Sequence, residues 1–381
     1  MKPRKNVVDL VKVAFIALLI KVMASSSLIM PWNPIADNLC ILFAIFVLLI
    51  KLSRLTLPLG KAIFLGVISL FTLYTCITVR QYDLLVTLIT IFLLINVDLD
   101  AYISLMYKIQ IFILIAHLAV SCVWSAVGGY SLFWKLIDVR LRFNGGFVHP
   151  NVLSCYIMSC MLMFTWMHFK RITANGFACM AIITALTYLM TRSRTGLLLN
   201  VTLLLTVILS QSKQPSVVKA LSRMLMPMFL ALLAVVHWAQ RNFLAENPLV
   251  LFLNKLLNGR LKYAAYAYTQ SGVTWLPRYL DYAAENHVPW SSEWRLTTFT
   301  FDNIYSFFIV QMGIVWVGLL TVIIAIVCRK SDYKVKIFFL IWVLFAMVEV
   351  HGLNCYKLFV PILLCTLISK KGVKDYPTSK N

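Results

Sequence analysis

Long apolar runs, each close to the length that crosses a bilayer, restrict the fold of this chain more than any other feature. A spanning helix needs about 20 apolar residues, and only helices and closed barrels satisfy every backbone polar group inside the hydrocarbon core. Twelve such stretches occur, at about 10–29, 35–52, 60–79, 83–97, 106–127, 150–169, 173–191, 195–211, 223–240, 304–328, 335–350 and 353–369. The fourth and eighth are short and the first carries Lys12 and Lys21, so a tilted or half-inserted segment is expected among them. The 381 residues are 61% hydrophobic and 13% charged, against roughly one-half and one-quarter in a soluble domain, which excludes a soluble enzyme and a disordered chain. The expectation is an all-α polytopic membrane protein, residues 1–381 forming a single integral membrane domain with about twelve transmembrane helices.

A formal charge of +21 would suggest nucleic-acid binding in a soluble protein, but in a membrane protein basic residues mark the cytoplasmic loops. With the N-terminus inside, alternate connections carry Lys51, Arg54 and Lys61; Lys170 and Arg171; Lys213, Lys219 and Arg223; Arg329, Lys330, Lys334 and Lys336; and the tail Lys370, Lys371, Lys374 and Lys380. Both termini are therefore expected in the cytoplasm, in a multi-pass protein of the cytoplasmic membrane whose partner is the bilayer and not nucleic acid. Met1-Lys2-Pro3-Arg4-Lys5 precedes an apolar run without a small-residue cleavage site and reads as a retained anchor. Two opposite-side connections are long, about 128–148 and 241–303, and the second is read as a large extracytoplasmic loop between the ninth and tenth helices. All nine cysteines lie in or at the ends of apolar segments and lack the Cys-x-x-Cys spacing of a metal site, so neither a metal nor a cofactor is expected.

The cations also sort by type. Lysine dominates inside, whereas the outer side has nine arginines (80, 140, 142, 192, 194, 241, 260, 278 and 295) against four lysines. Topology does not require that reversal, and the planar guanidinium matches phosphate bidentately. Arg80, Arg241 and Arg278 are expected to pair with acids or sit in headgroups; Arg142, Arg192, Arg194 and Arg260 lie in polar motifs. These motifs are Arg142-Phe-Asn-Gly-Gly-Phe-Val-His149-Pro150-Asn151, Thr191-Arg192-Ser193-Arg194-Thr195-Gly196, Asn258-Gly259-Arg260, and Phe301-Asp302-Asn303-Ile304-Tyr305 followed by Gly313.

In order and spacing, over about residues 140–355, these four motifs resemble the O-antigen polymerase and O-antigen ligase superfamily; the N-terminal third agrees only in hydropathy. The resemblance implies a GT-C-like helical membrane fold. It also implies metal-independent transfer of an undecaprenyl-pyrophosphate-linked oligosaccharide at the outer face of the membrane, alongside a chain-length regulator and a flippase of the same pathway. Carried over, Arg142, Arg192, Arg194 and Arg260 would hold the pyrophosphate, and His149, Asn151, Asn303 and Tyr305 would face the glycan. Glu349 and Asn354 match more loosely. Ligases of the superfamily have a functional histidine in the large loop, where this chain has only His287, in unlike surroundings.

Such a reaction needs positioned cations for the leaving pyrophosphate and gains about 10²- to 10⁴-fold from a general base. Asp302, His287 and Glu293 are the catalytic candidates, with Glu285 and Glu349 behind them; Asp302 has an equal alternative as a helix cap. His117, His168 and His237 read as structural. Trp275, Trp290, Trp294 and the loop tyrosines could stack on sugars or anchor at the interface, and residues 248–271 have the pattern of one amphipathic helix lying on the membrane. Repeat-unit polymerase is the first reading. A ligase is the second, and a lipid-linked oligosaccharide transporter is disfavoured because no internal repeat is seen and the polar motifs cluster at outer helix ends.

Overall fold

The computed structural model describes residues 5–30, 32–128, 131–135, 141–211, 214–257, 259–280 and 301–369. The apolar runs fold as helices whose starts are written in capping residues. Asn33 accepts the Ile35 N–H ahead of α2 (Pro34–Leu52), Asp98 caps α5 (Leu99–Ala126), Thr173 caps α7 (Ala174–Thr191) and Asp332 caps α15 (Tyr333–Ala346). Proline stands in the first turn of α2, α6 (Pro150–Met167), α9 (Pro215–Arg223) and α11 (Pro248–Leu256), where its missing N–H has no intrahelical partner to lose.

Among the described residues six helices are long and apolar enough to cross a membrane: α2, α3 (Leu59–Val79), α5, α6, α7, and the stretch Ser216–Arg241 in which α9 runs into α10 (Leu225–Arg241). The described chain is thus predominantly helical and membrane-embedded. α1 (Lys5–Ala24) is long but carries Asp9, Lys12 and Lys21. α4 (Asp83–Leu93), α8 (Arg194–Ser210) and α14 (Ile314–Lys330) have 11, 17 and 17 residues.

The chain forms two compact units. The first comprises Met1–Leu65, Val86–Val207 and Asn354–Asn381. Its centre is α6, with 78% of its span buried; α5 and α7 pack on it, and α1 packs on α2 and α5. Phe15, Tyr156, Trp166, Tyr356 and Phe359 are buried there. A short antiparallel ladder joins β1 (Phe133–Lys135) to β2 (Leu141–Phe143), with Trp134 opposite Arg142. The turn after β2 needs Gly146: φ is 86°, and a Cβ there would lie 2.1 Å from Ser121 Oγ.

The second unit comprises Gly66–Leu85 and Ile208–Leu353. α10 packs against α12 (Arg260–Ser271) and α15, around a core of Ala265, Tyr266, Ala267, Ile309 and Val310. Several expected spans differ here. The run 304–328 is not one helix: α13 (Ile304–Phe307) passes into a π turn over Phe308–Met312 and stops at Gly313, φ 92°, before α14 begins. The cause is a strap of chain after α12, whose Thr274 N–H donates to Ile309 O (3.3 Å) and whose Thr274 and Trp275 carbonyls accept from Ile314 (2.8 Å) and Val315 (3.2 Å). A Cβ at 313 would lie 2.5 Å from Trp275 O.

The amphipathic pattern at 248–271 also breaks, at Gly259 (φ 86°), into α11 and α12. α12 buries Leu261, Ala264, Ala265 and Ala267 inside its unit, whereas α11 exposes Leu249, Phe252 and Leu256. In the first unit, the last expected span, 353–369, folds as irregular turns with a 3-10 stretch at Val360–Leu364 and a four-residue α16 (Cys365–Ile368). Pro361 withholds an N–H, and the Asn354 side chain accepts from Tyr356 N–H, which diverts the backbone from a regular helix. The preceding 3-10 turn, Val350–Leu353, belongs to the second unit.

Candidate functional site

Two clusters of the motif residues form, one in each unit. In the first, Arg142 leaves β2 half-buried and spends its guanidinium on two motifs at once: Nε donates to Thr191 O (2.8 Å) and an Nη to Asn151 Oδ1 (3.0 Å). Ser193 Oγ donates to the same Asn151 oxygen (3.0 Å) and accepts the Gly196 N–H (3.1 Å), capping α8. His149 caps α6 by accepting the Asn151 N–H on Nδ1 at 3.1 Å, so the ring carries its proton on Nε2 when neutral. The result is a hydrogen-bonded platform, built from residues far apart in sequence, on which the α7–α8 turn rests.

That turn presents Arg192 and Arg194. Both are exposed, and among the described residues neither makes an ion pair or a side-chain hydrogen bond. Arg192 ends α7 in the left-handed conformation, φ 49° and ψ 28°, a place that normally belongs to glycine. An arginine held there against its backbone preference points to use of the side chain. Two uncompensated cations at the start of α8, where the helix dipole is positive, concentrate positive charge at this turn.

The second cluster is of a different kind. Arg260, the first residue of α12, is 5% exposed; one Nη meets Glu349 Oε1 at 2.9 Å, and the other donates to Asp302 O (3.0 Å) and lies 3.7 Å from Asp302 Oδ1. Glu349 is equally buried. The Arg260 fork is therefore occupied by carboxylates, in contrast to the exposed pair of the first unit. Burial pushes the Asp302 carboxyl above the ordinary carboxylate range, and the neighbouring Arg260 opposes that rise. Asp302 does not cap the helix; Asn303 does, its Oδ1 accepting the Ser306 N–H at 2.6 Å. Asn303 and Tyr305 are buried, and the Tyr305 hydroxyl donates to Val343 O (2.8 Å), so both serve the packing of α13 and neither presents a surface to a glycan.

His287 and Glu293, like Glu285, Trp290 and Trp294, lie outside the described residues. Arg80 stacks over the Tyr279 ring, 4.8 Å from its centroid, and Arg278 donates to the Ser271 carbonyl. His117 is a packing residue, bonded to Ser27 Oγ (2.8 Å) and stacked on Phe147. The contribution of Ser193 and the weight of Glu349 were not evident from the motifs alone. For Glu349 a signal exists: an acid between Val348 and Val350 in an apolar run demands a buried cation as partner. Compared with known proteins, the chain matches no family model, no curated protein and no solved structure.

Proposed function

We propose that the protein is a polysaccharide repeat-unit polymerase, in which the Arg192–Arg194 turn binds the pyrophosphate of a lipid-linked glycan. The observation that carries the reading is the exposed, unpaired arginine pair braced by Arg142, Asn151 and Ser193. In this reading the motif resemblance supplies the chemistry. A hydroxyl of the acceptor repeat unit attacks the anomeric carbon of the donor glycan. A new glycosidic C–O bond forms, the bond from that carbon to the pyrophosphate oxygen breaks, the hydroxyl proton passes to a base, and lipid pyrophosphate leaves with the bonding electrons. The arginines stabilise charge developing on that leaving group, the kind of preorganised electrostatic contribution whose removal costs about 10²- to 10³-fold per donor.

The same reading takes the chain as a GT-C-like protein of about twelve spans with its arginine motifs on the outer face of the cytoplasmic membrane. It supposes that the shorter helices also insert. Deletion of the gene followed by gel analysis of surface glycan tests it. Loss of the ladder with single repeats retained is the expected result. Finished polymer accumulating on its lipid carrier would instead mean a ligase, and precursor held inside the cell a transporter.

A further inference from the structure

Within the second unit, five cations stand on helix ends that pack together. Lys219 and Arg223 lie on α9, Arg329 and Lys330 close α14, and Lys336 lies in the first turn of α15. α9 packs on α15 and continues into α10, while α14 packs on both α10 and α15. Cys328, near the end of α14, meets the backbone of Met226 at the start of α10 and lies near Lys336. Four of the five cations are exposed and Lys336 is half-buried; among the described residues none is in an ion pair. The acid beside them, Asp332, accepts the Val335 N–H at 2.8 Å as the cap of α15.

Membrane topology requires basic residues on one side but does not require that their charge be left unspent. In the first unit two such lysines are spent on helix ends. Lys51 Nζ donates to the carbonyl of Leu93, where α4 stops, and Lys61 Nζ to those of Leu367 (3.3 Å) and Ile368 (3.2 Å) in α16. In the second unit the charges also stand against local preference. Lys219 and Arg223 are four residues apart, so like charges share one helix face and repel. Lys336 lies at the positive end of the α15 dipole. An anion held among them relieves both penalties.

What borders the cations identifies that anion. The stretch Ser216–Arg241 has 26 residues, about 39 Å of helix against a hydrocarbon core of about 30 Å, so its charged α9 end overhangs at headgroup depth. Met224 and Tyr333 are exposed beside the charges, and Leu230 and Val322 are exposed farther along α10 and α14. A free phosphate or an acidic peptide would use the cations alone, whereas a phospholipid also lays its acyl chains on the apolar surface that continues from them. We propose that α9, the end of α14 and the start of α15 form a binding site for an anionic phospholipid, with its phosphate among these cations. The site lies wholly within the second unit and is independent of the chemistry proposed for the Arg192–Arg194 turn.

Full-length protein in phosphatidylcholine nanodiscs, with a trace of phosphatidylglycerol carrying a photoreactive diazirine near its headgroup, tests the site. Labelling is expected on peptides covering 215–223 and 329–336, and the matching phosphatidylcholine probe should label them far less. Lys219→Gln combined with Arg223→Gln, both at exposed positions, should lower phosphatidylglycerol labelling about 25-fold, at about fivefold per cation. The charge-preserving exchange Lys219→Arg with Arg223→Lys should keep it at the wild-type level. Arg241→Gln removes a charge about 27 Å along the same helix from Arg223 and should change nothing. Equal labelling by the two lipid probes, or equal sensitivity to Arg241→Gln, would overturn the site. Displacement of the probe by glycerol phosphate or by polyglutamate, at concentrations below those at which unlabelled phosphatidylglycerol displaces it, would mark a free phosphate or an acidic protein segment as the occupant and overturn the lipid.

Discussion

At the scale of single residues, the arginines divide by environment, and the division yields separable expectations. Arg192 sits in a left-handed cap where glycine is free of the roughly 1 kcal/mol that an L side chain loses there. Arg192→Gly should therefore leave thermal stability unchanged or raised while shortening or abolishing polymer; a thermal melt read beside a glycan gel checks both, and normal polymer would remove Arg192 from the site. Arg260 should behave in the opposite way. Breaking its close buried pair, as in Glu349→Ala, leaves the guanidinium with only the longer contact to Asp302 and should cost about 3–5 kcal/mol, measured as loss of folded protein in membranes, whereas the paired change Arg260→Met with Glu349→Leu should recover most of it. Failure of that rescue would assign Arg260 a role beyond holding the fold. For Asp302 the sign of the linkage is fixed by its raised carboxyl. Folded Asp302 holds its proton to higher pH than the unfolded chain, so its ionisation subtracts stability as pH rises through the folded pKa. Asp302→Asn should flatten that loss in pH-dependent melts, and a variant whose melts keep the wild-type pH dependence would show that another group titrates.

At the scale of elements, helix starts and ends were legible wherever a cap or a proline marked them. The run expected at 150–169 is α6, Pro150–Met167, and that at 173–191 is α7, Ala174–Thr191. Hydropathy could not show the interruption at Gly313 or the irregular course of 353–369, because an apolar side chain buries equally well on a helix, a π turn or a 3-10 turn. Partnerships were the least legible. Arg260 and Glu349 are 89 residues apart, and Arg142 and Thr191 are 49 apart, with nothing in either neighbourhood to name the other. α11 is the element whose surface calls for a test. Leu249, Phe252 and Leu256 are 55%, 61% and 59% exposed at helical spacing, while Val250 is packed inward and Lys255 stands in the last turn. An apolar face of that size next to a cation fits the headgroup boundary of a bilayer. Tryptophan placed at position 252 should be quenched by lipids brominated near the headgroups; emission typical of water and insensitive to those lipids would put α11 in solution.

At the scale of the whole molecule, orientation is the property on which the rest depends. If the arginine motifs face outward, a cysteine at Ser271 should react with an impermeant thiol reagent in intact cells, above the background of the native cysteines. Reaction only after lysis would reverse the protein in the membrane and remove an extracytoplasmic lipid pyrophosphate as its substrate. Within the second unit, Leu280 and Phe301 pack against one cluster, that of Ala265, Tyr266, Ala267, Ile309 and Val310. The chain therefore departs from and returns to a common anchorage on either side of residues 281–300. The two posts thus share one footing, so that packing lost at either weakens the hold on both.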